Sequence, residues 1–136
     1  MTGHLIRARV RDSLPKLFRD LIPQFGNIYA NMLGENSKRV GVIAGEKWFF
    51  RTGSYAAILI FIQEVSAKEC ILDIIAYAGG TGLIDVSWGA HPKYAREVIQ
   101  FLVDKGYEIA VGLEIDNFSI EKLPEDIKEK LDWPHQ

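Results

Sequence analysis

Tyr55-Ala56-Ala57-Ile58-Leu59-Ile60-Phe61-Ile62 and Cys70-Ile71-Leu72-Asp73-Ile74-Ile75-Ala76-Tyr77 decide how this chain reads. The first run is apolar at odd and even positions alike. Successive strand side chains point to opposite faces, so both faces of this strand call for cover. Cys70–Ala78 pairs with Tyr55–Val65 through a short loop at Ser66–Glu69, which makes the two antiparallel neighbours. What covers the second face is the question the rest of the chain has to answer.

Upstream, Lys38–Ala44 and Glu46–Thr52 read as two short strands joined at Gly45. Downstream, Gly79-Gly80-Thr81-Gly82 turns the chain into a strand over Leu83–Trp88. Near the N-terminus, Ile6, Ala8 and Val10 alternate with Arg7, Arg9 and Arg11, a period-two pattern with one apolar and one all-arginine face. Three arginines on one side suit a strand at the sheet edge, where charge discourages further pairing.

Two helical patterns flank the meander. Asp12 or Ser13 caps the first, with Pro15 in its first turn and Leu14, Leu17, Phe18, Leu21 and Ile22 on one stripe. Pro23 predicts a break, followed by a second helical piece through Phe25, Ile28, Tyr29, Met32 and Leu33 that ends near Gly34. The second helix opens at His91-Pro92, carries Tyr94, Val98, Phe101 and Leu102 on one face and exits at Gly106. Tyr107–Val111 adds a strand, and Glu125–Lys130 reads as a short surface helix.

These elements predict a single α+β domain over residues 1–136: a two-layer fold with a twisted antiparallel sheet, N-terminal strand plus meander, and helices on one face. The element order is similar to the helix-grip plan of lipid-transfer and polyketide-cyclase domains. That resemblance implies, as an alternative, a sheet wrapped around a helix with an internal cavity. It concerns the order of elements only, and order does not fix function.

Composition narrows the function classes. Charged residues at 25% and hydrophobic ones at 48% are ordinary for a folded domain, which excludes wholesale disorder. A net charge of −2 argues against a dedicated nucleic-acid binder. The charge is nevertheless divided: up to Arg51 there are nine Lys and Arg against four Asp and Glu, and afterwards seven against fourteen. Either the halves neutralise each other within one fold, or an acidic tail meets a basic face on a second copy. Cys70 is the single cysteine and reads as a buried, inert thiol. No apolar run approaches the roughly 20 residues that span a bilayer, so no membrane partner is expected and cytoplasm is the default.

Motifs for chemistry are sparse. The glycine turn at Gly79–Gly82 precedes a strand rather than a helix and fits a hairpin better than an anion cradle. Asp73 interrupts an apolar strand and is expected opposite Ile60 or Ile62. A lone carboxylate there would be desolvated, whereas an arginine or lysine beside it would make it structural. Asp85, Ser87 and His91 have the residue types of a triad without a nucleophile-elbow sequence around Ser87. His4, His91 and His135 are far apart in sequence, and no metal-ligand or cofactor motif occurs. Trp48, Phe49 and Phe50 read as core or interface aromatics.

The leading expectation is therefore a non-catalytic domain without cofactor, either a homo-oligomer, with a dimer favoured, or a binder of a small apolar ligand. Asp73, Tyr77, Asp85, Trp88 and His91 are its candidate ligand-binding residues. The first alternative is a small enzyme in a helix-grip-like cavity using Asp73 or Asp85 as acid/base. The second is a nucleic-acid accessory protein using the basic patch Arg7, Arg9 and Arg11. The tail beyond Val111 could also fold back over the second sheet face.

Overall fold

The computed structural model describes residues 3–35, 38–50, 53–78, 90–118 and 125–126. Its elements are β1 (Gly3–Val10), α1 (Leu14–Phe25), β2 (Tyr29–Leu33), β3 (Val40–Phe49), β4 (Ser54–Ser66), β5 (Glu69–Ala78), α2 (Ala90–Asp104) and β6 (Ile109–Phe118). The strands form a six-stranded sheet in the order β2-β3-β4-β5-β1-β6, with every neighbour antiparallel. Both helices pack on one face, which gives the two-layer α+β arrangement.

The layer between helices and sheet follows from the periodicities. Ser13 caps α1 by accepting a hydrogen bond from the Lys16 amide, and Pro15 sits in the first turn. Leu14, Leu17, Leu21 and Phe25 fall on one stripe and are buried. They meet the odd-versus-even partition of the strands: Ile58, Ile60 and Ile62 of β4 and Leu72, Ile74 and Ala76 of β5 all face the helices. Tyr94, Val98 and Leu102 of α2 complete this core. Phe25 joins the two helices through an edge-to-face contact with Phe101 at 5.5 Å, and Phe49 meets Tyr94 at 5.6 Å. Burial pushes the Tyr94 hydroxyl up to about 12, with Glu97 and Glu46 adding to the shift.

Several expectations are corrected. The second helical piece is a strand, β2. α1 runs through Pro23 to Phe25, and the Gly26 amide donates to the Ile22 carbonyl at its end. Asn27 then clasps β3, its amide donating to the Glu46 carbonyl and its oxygen accepting from the Glu46 amide. That clasp lays Tyr29–Leu33 alongside β3, and pairing with a neighbour outweighs a helical spacing that fits equally well. Lys38–Ala44 and Glu46–Thr52 are a single strand across Gly45 as far as Phe49. Gly45 is a packing residue and not a turn: a Cβ there would overlap the Phe25 carbonyl oxygen and come within 2.9 Å of Asn27 Oδ1. β1 is not an edge strand, because β6 adds outside it. β6 itself extends well beyond the predicted Tyr107–Val111.

α2 ends as its sequence predicts. Gly106 takes φ +92°, and the Tyr107 amide returns to the Leu102 carbonyl. Tyr107 donates to Asp20 at 2.5 Å and so ties this corner to α1. Burial raises its phenol well above the usual range, and the contact with Asp20 adds to the shift. Gly79–Gly82, Leu83–Trp88 with Asp85, Ser87 and Trp88, His135 and most of the Glu125–Lys130 segment lie outside the described residues.

Candidate functional site

The register places an apolar surface on the sheet face opposite the helices. One row crosses all six strands as Tyr29, Ala44, Leu59, Ile75, Leu5 and Ile115. The next row runs Asn31, Val42, Phe61, Asp73, Arg7 and Leu113, and a third runs Leu33, Val40, Gln63, Ile71, Arg9 and Ala110. Trp48 and Tyr55 pair beyond them, edge to face at 4.9 Å. Ten of the eighteen side chains in these rows are half-buried and Leu5 is buried, while Tyr29, Leu33 and Phe61, with Trp48 and Tyr55 beyond, are exposed.

Asp73 faces Phe61 and Arg7, not Ile60 or Ile62. One residue of register moves it from the helix side to the opposite face. Arg7 grips it with two parallel hydrogen bonds, Nε to Oδ1 at 2.6 Å and a terminal nitrogen to Oδ2 at 2.9 Å. The carboxylate in the middle of the apolar face is therefore neutralised where it stands. Tyr77 shares this face but sits four residues along β5, about 13 Å away at strand spacing. His91 is buried in the helix layer, on the other side of the sheet. The described candidates are thus dispersed, and no acid/base constellation assembles from them.

The other two arginines of the basic strand are also paired. Arg9 reaches Glu69 at 2.6 Å, and Arg11 lies 3.6 Å from Glu108. Arg39–Glu64 and Lys47–Glu97 complete five pairs, all joining the basic N-terminal segment to the acidic remainder. Of the two readings of the divided charge, internal neutralisation has direct support in these pairs. A groove of about 390 Å³ runs between β1 and β6 along Arg7, Arg9, Ile71, Ala110 and Leu113. A second, of about 360 Å³, continues it past Arg11 and Glu108.

A feature missed in the sequence lies on the helix side. His4 is 0% exposed, and its Nε2 lies 2.6 Å from Glu114 Oε2, which also accepts from Arg96 Nε at 2.9 Å. Its Nδ1 lies 2.7 Å from Asp116 but out of line for a good hydrogen bond. This cluster fastens β6 and α2 to the start of β1. The alternation of Glu114 and Asp116 around Ile115 was the available signal, but only the β1–β6 register brings it to His4. Among the described residues, no group of three His, Cys, Asp or Glu side chains is placed to hold a metal ion. Among them, too, no helix is long and apolar enough to cross a membrane.

Two expected outcomes arise here. Cys70 is buried, its Sγ 3.5 Å from the Asp12 carbonyl oxygen, and burial with Glu64 and Asp12 nearby pushes its thiol up to about 11. Alkylation by iodoacetamide at neutral pH is expected to proceed only through unfolding, at a rate that rises with urea. Fast labelling of the native chain would contradict this burial.

The second concerns acid. Arg39 hydrogen bonds hold Glu64 below its ordinary 4.5, against burial. Burial alone would raise Glu114, but His4 and Arg96 together bring it below 4.5. Carboxylates depressed in the folded state stabilise it above their unfolded pKa, and the stabilisation is lost as pH falls through the lower folded value. The urea midpoint is therefore expected to fall as pH drops below about 4.5, less steeply in Glu64→Gln.

Compared with protein-family models and with curated proteins, the chain matches none.

Proposed function

We propose that the protein is a non-catalytic, self-associating domain, a homodimer in which two copies bury against each other the sheet faces opposite their helices. The observation that carries this reading is the apolar row from Tyr29 to Ile115, continuous across all six strands. At about 4.8 Å per strand and 3.4 Å per residue the face measures roughly 29 by 27 Å, close to the roughly 800 Å² per partner of a standard interface. A face meeting its own copy about a two-fold axis closes the assembly at two subunits. The only described ion pair near its centre, Arg7–Asp73, carries its own neutralisation into the interface, so neither charge is buried alone. Left in water, a patch of this size favours aggregation. A reducing, cytoplasmic setting suits the lone buried thiol.

Sedimentation velocity across the micromolar range tests this reading. A dimer that persists on dilution to low micromolar supports it, and a monomer throughout refutes it.

The groove beside Arg7 and Arg9 favours a second reading, a small amphipathic ligand with its apolar part on Ile71 and Leu113 and an anionic end at Arg9. Retention of such a compound through purification would support it. The enzyme reading through Asp73 and the nucleic-acid reading lose ground to the pairing of Asp73 with Arg7 and of Arg9 and Arg11 with carboxylates.

A further inference from the structure

The two edges of the sheet, among the described residues, are built differently. β6 is guarded: its register with β1 slips twice, at Gly112 and again before Phe118, and it carries Glu114 and Asp116. Bulges and charges of this kind prevent an edge from pairing with another chain. β2 has neither. Its five residues, Tyr29-Ala30-Asn31-Met32-Leu33, include no charge and no proline, and they pair with β3 without a slip. Ile28, Tyr29 and Leu33 are each more than half exposed.

The β2 sequence is also complementary to itself. Antiparallel pairing of two copies about Asn31 sets Tyr29 against Leu33 on the face opposite the helices and Ala30 against Met32 on the helix face. Asn31 meets its own copy. Each cross-strand contact then joins apolar to apolar or amide to amide. The centre of symmetry falls on a residue, so the pairing works whichever set of backbone groups points outward.

We propose that β2 is a second self-association surface, through which two copies pair edge to edge into one continuous twelve-stranded sheet. It uses residues distinct from the centre of the face opposite the helices. Combined with the face contact of the preceding reading, it links one dimer to another through a second two-fold axis. Five residues of strand bury far less than a standard interface, so this contact is the weaker one and fills only at high protein concentration.

Asn31→Cys tests it. Facing residues in an antiparallel pair have Cα atoms about 4.5 or 5.5 Å apart, and both distances suit a disulfide. Mild oxidation with glutathione disulfide at high concentration is expected to give a covalent dimer of Asn31→Cys. Val111→Cys, exposed on the guarded β6 edge, is expected to cross-link at least ten times more slowly. The parent chain, whose one thiol is buried, is the blank. The cross-link is expected to persist when Leu59→Glu is added at the centre of the face opposite the helices, which separates the edge contact from the face contact. Equal rates at residues 31 and 111, or no cross-link at residue 31, would overturn the proposal. So would a cross-link that vanishes with Leu59→Glu, since edge pairing would then have no strength of its own.

Discussion

Gly45→Ala is expected to cost the fold roughly 3 kcal/mol, at the upper end for one added methyl group in a packed core. The new Cβ would overlap the Phe25 carbonyl oxygen, a backbone atom held at the end of α1, and would crowd Asn27 Oδ1. Relief requires α1 to move away from β3 or the Asn27 clasp on Glu46 to open. Either movement loosens β2, which begins two residues after Asn27. For a chain of this size the cost corresponds to a fall of roughly 10 °C in Tm. Gly112→Ala is the control, because its Cβ would meet nothing closer than the Arg7 carbonyl at 3.9 Å. It is expected to change stability by less than about 1 kcal/mol. Thermal and urea unfolding of both variants give the comparison, and equal losses would show that the close approach of α1 to β3 is not what requires glycine.

Leu59→Glu is expected to weaken self-association by at least a hundredfold and to leave a monomer at low micromolar concentration. Leu59 sits mid-sheet in the apolar row, between Ala44 and Ile75. In a face-to-face dimer the new carboxylate would be desolvated without a cation to meet it, a penalty of about 3 kcal/mol or more. In the separated chain its carboxylate, on a half-buried position, can reach water, so the fold should survive with an unchanged circular dichroism spectrum. Val103→Glu, on the outer surface of α2 and 50% exposed, is expected to leave the dimer intact. Should Leu59→Glu fold poorly, Tyr77→Glu on the same face serves in its place. A Leu59→Glu chain that folds and still dimerises as the parent does would place the contact elsewhere.

Local patterns carried much of this fold. The two-sided apolar run of β4, its pairing with β5 and the stripe of α2 are all written in residue spacing. β2 was not legible, because Ile28, Tyr29, Met32 and Leu33 satisfy a helical period as well as a strand. The deciding contact, from Asn27 to Glu46, lies nineteen residues along the chain. The inner position of β1 is hidden for a related reason. An all-arginine face looks like an edge until the register supplies Asp73, Glu69 and Glu108 as partners from other elements. Asp73 was conspicuous in the sequence, but its side of the sheet depended on a one-residue register that the turn at Ser66–Glu69 leaves open. Gly45 resembled a turn because glycine marks both turns and close approaches, and only the packing of α1 distinguishes them.

Native mass spectrometry of the freshly purified chain at low micromolar concentration tests the central claim most directly. The account predicts a dimer at twice the bare polypeptide mass of 15.4 kDa, with nothing lost on denaturation. A monomer carrying extra mass that denaturation releases would contradict it and assign the face opposite the helices or its groove to a ligand. A bare monomer would contradict it as well and mean that the face needs no second copy.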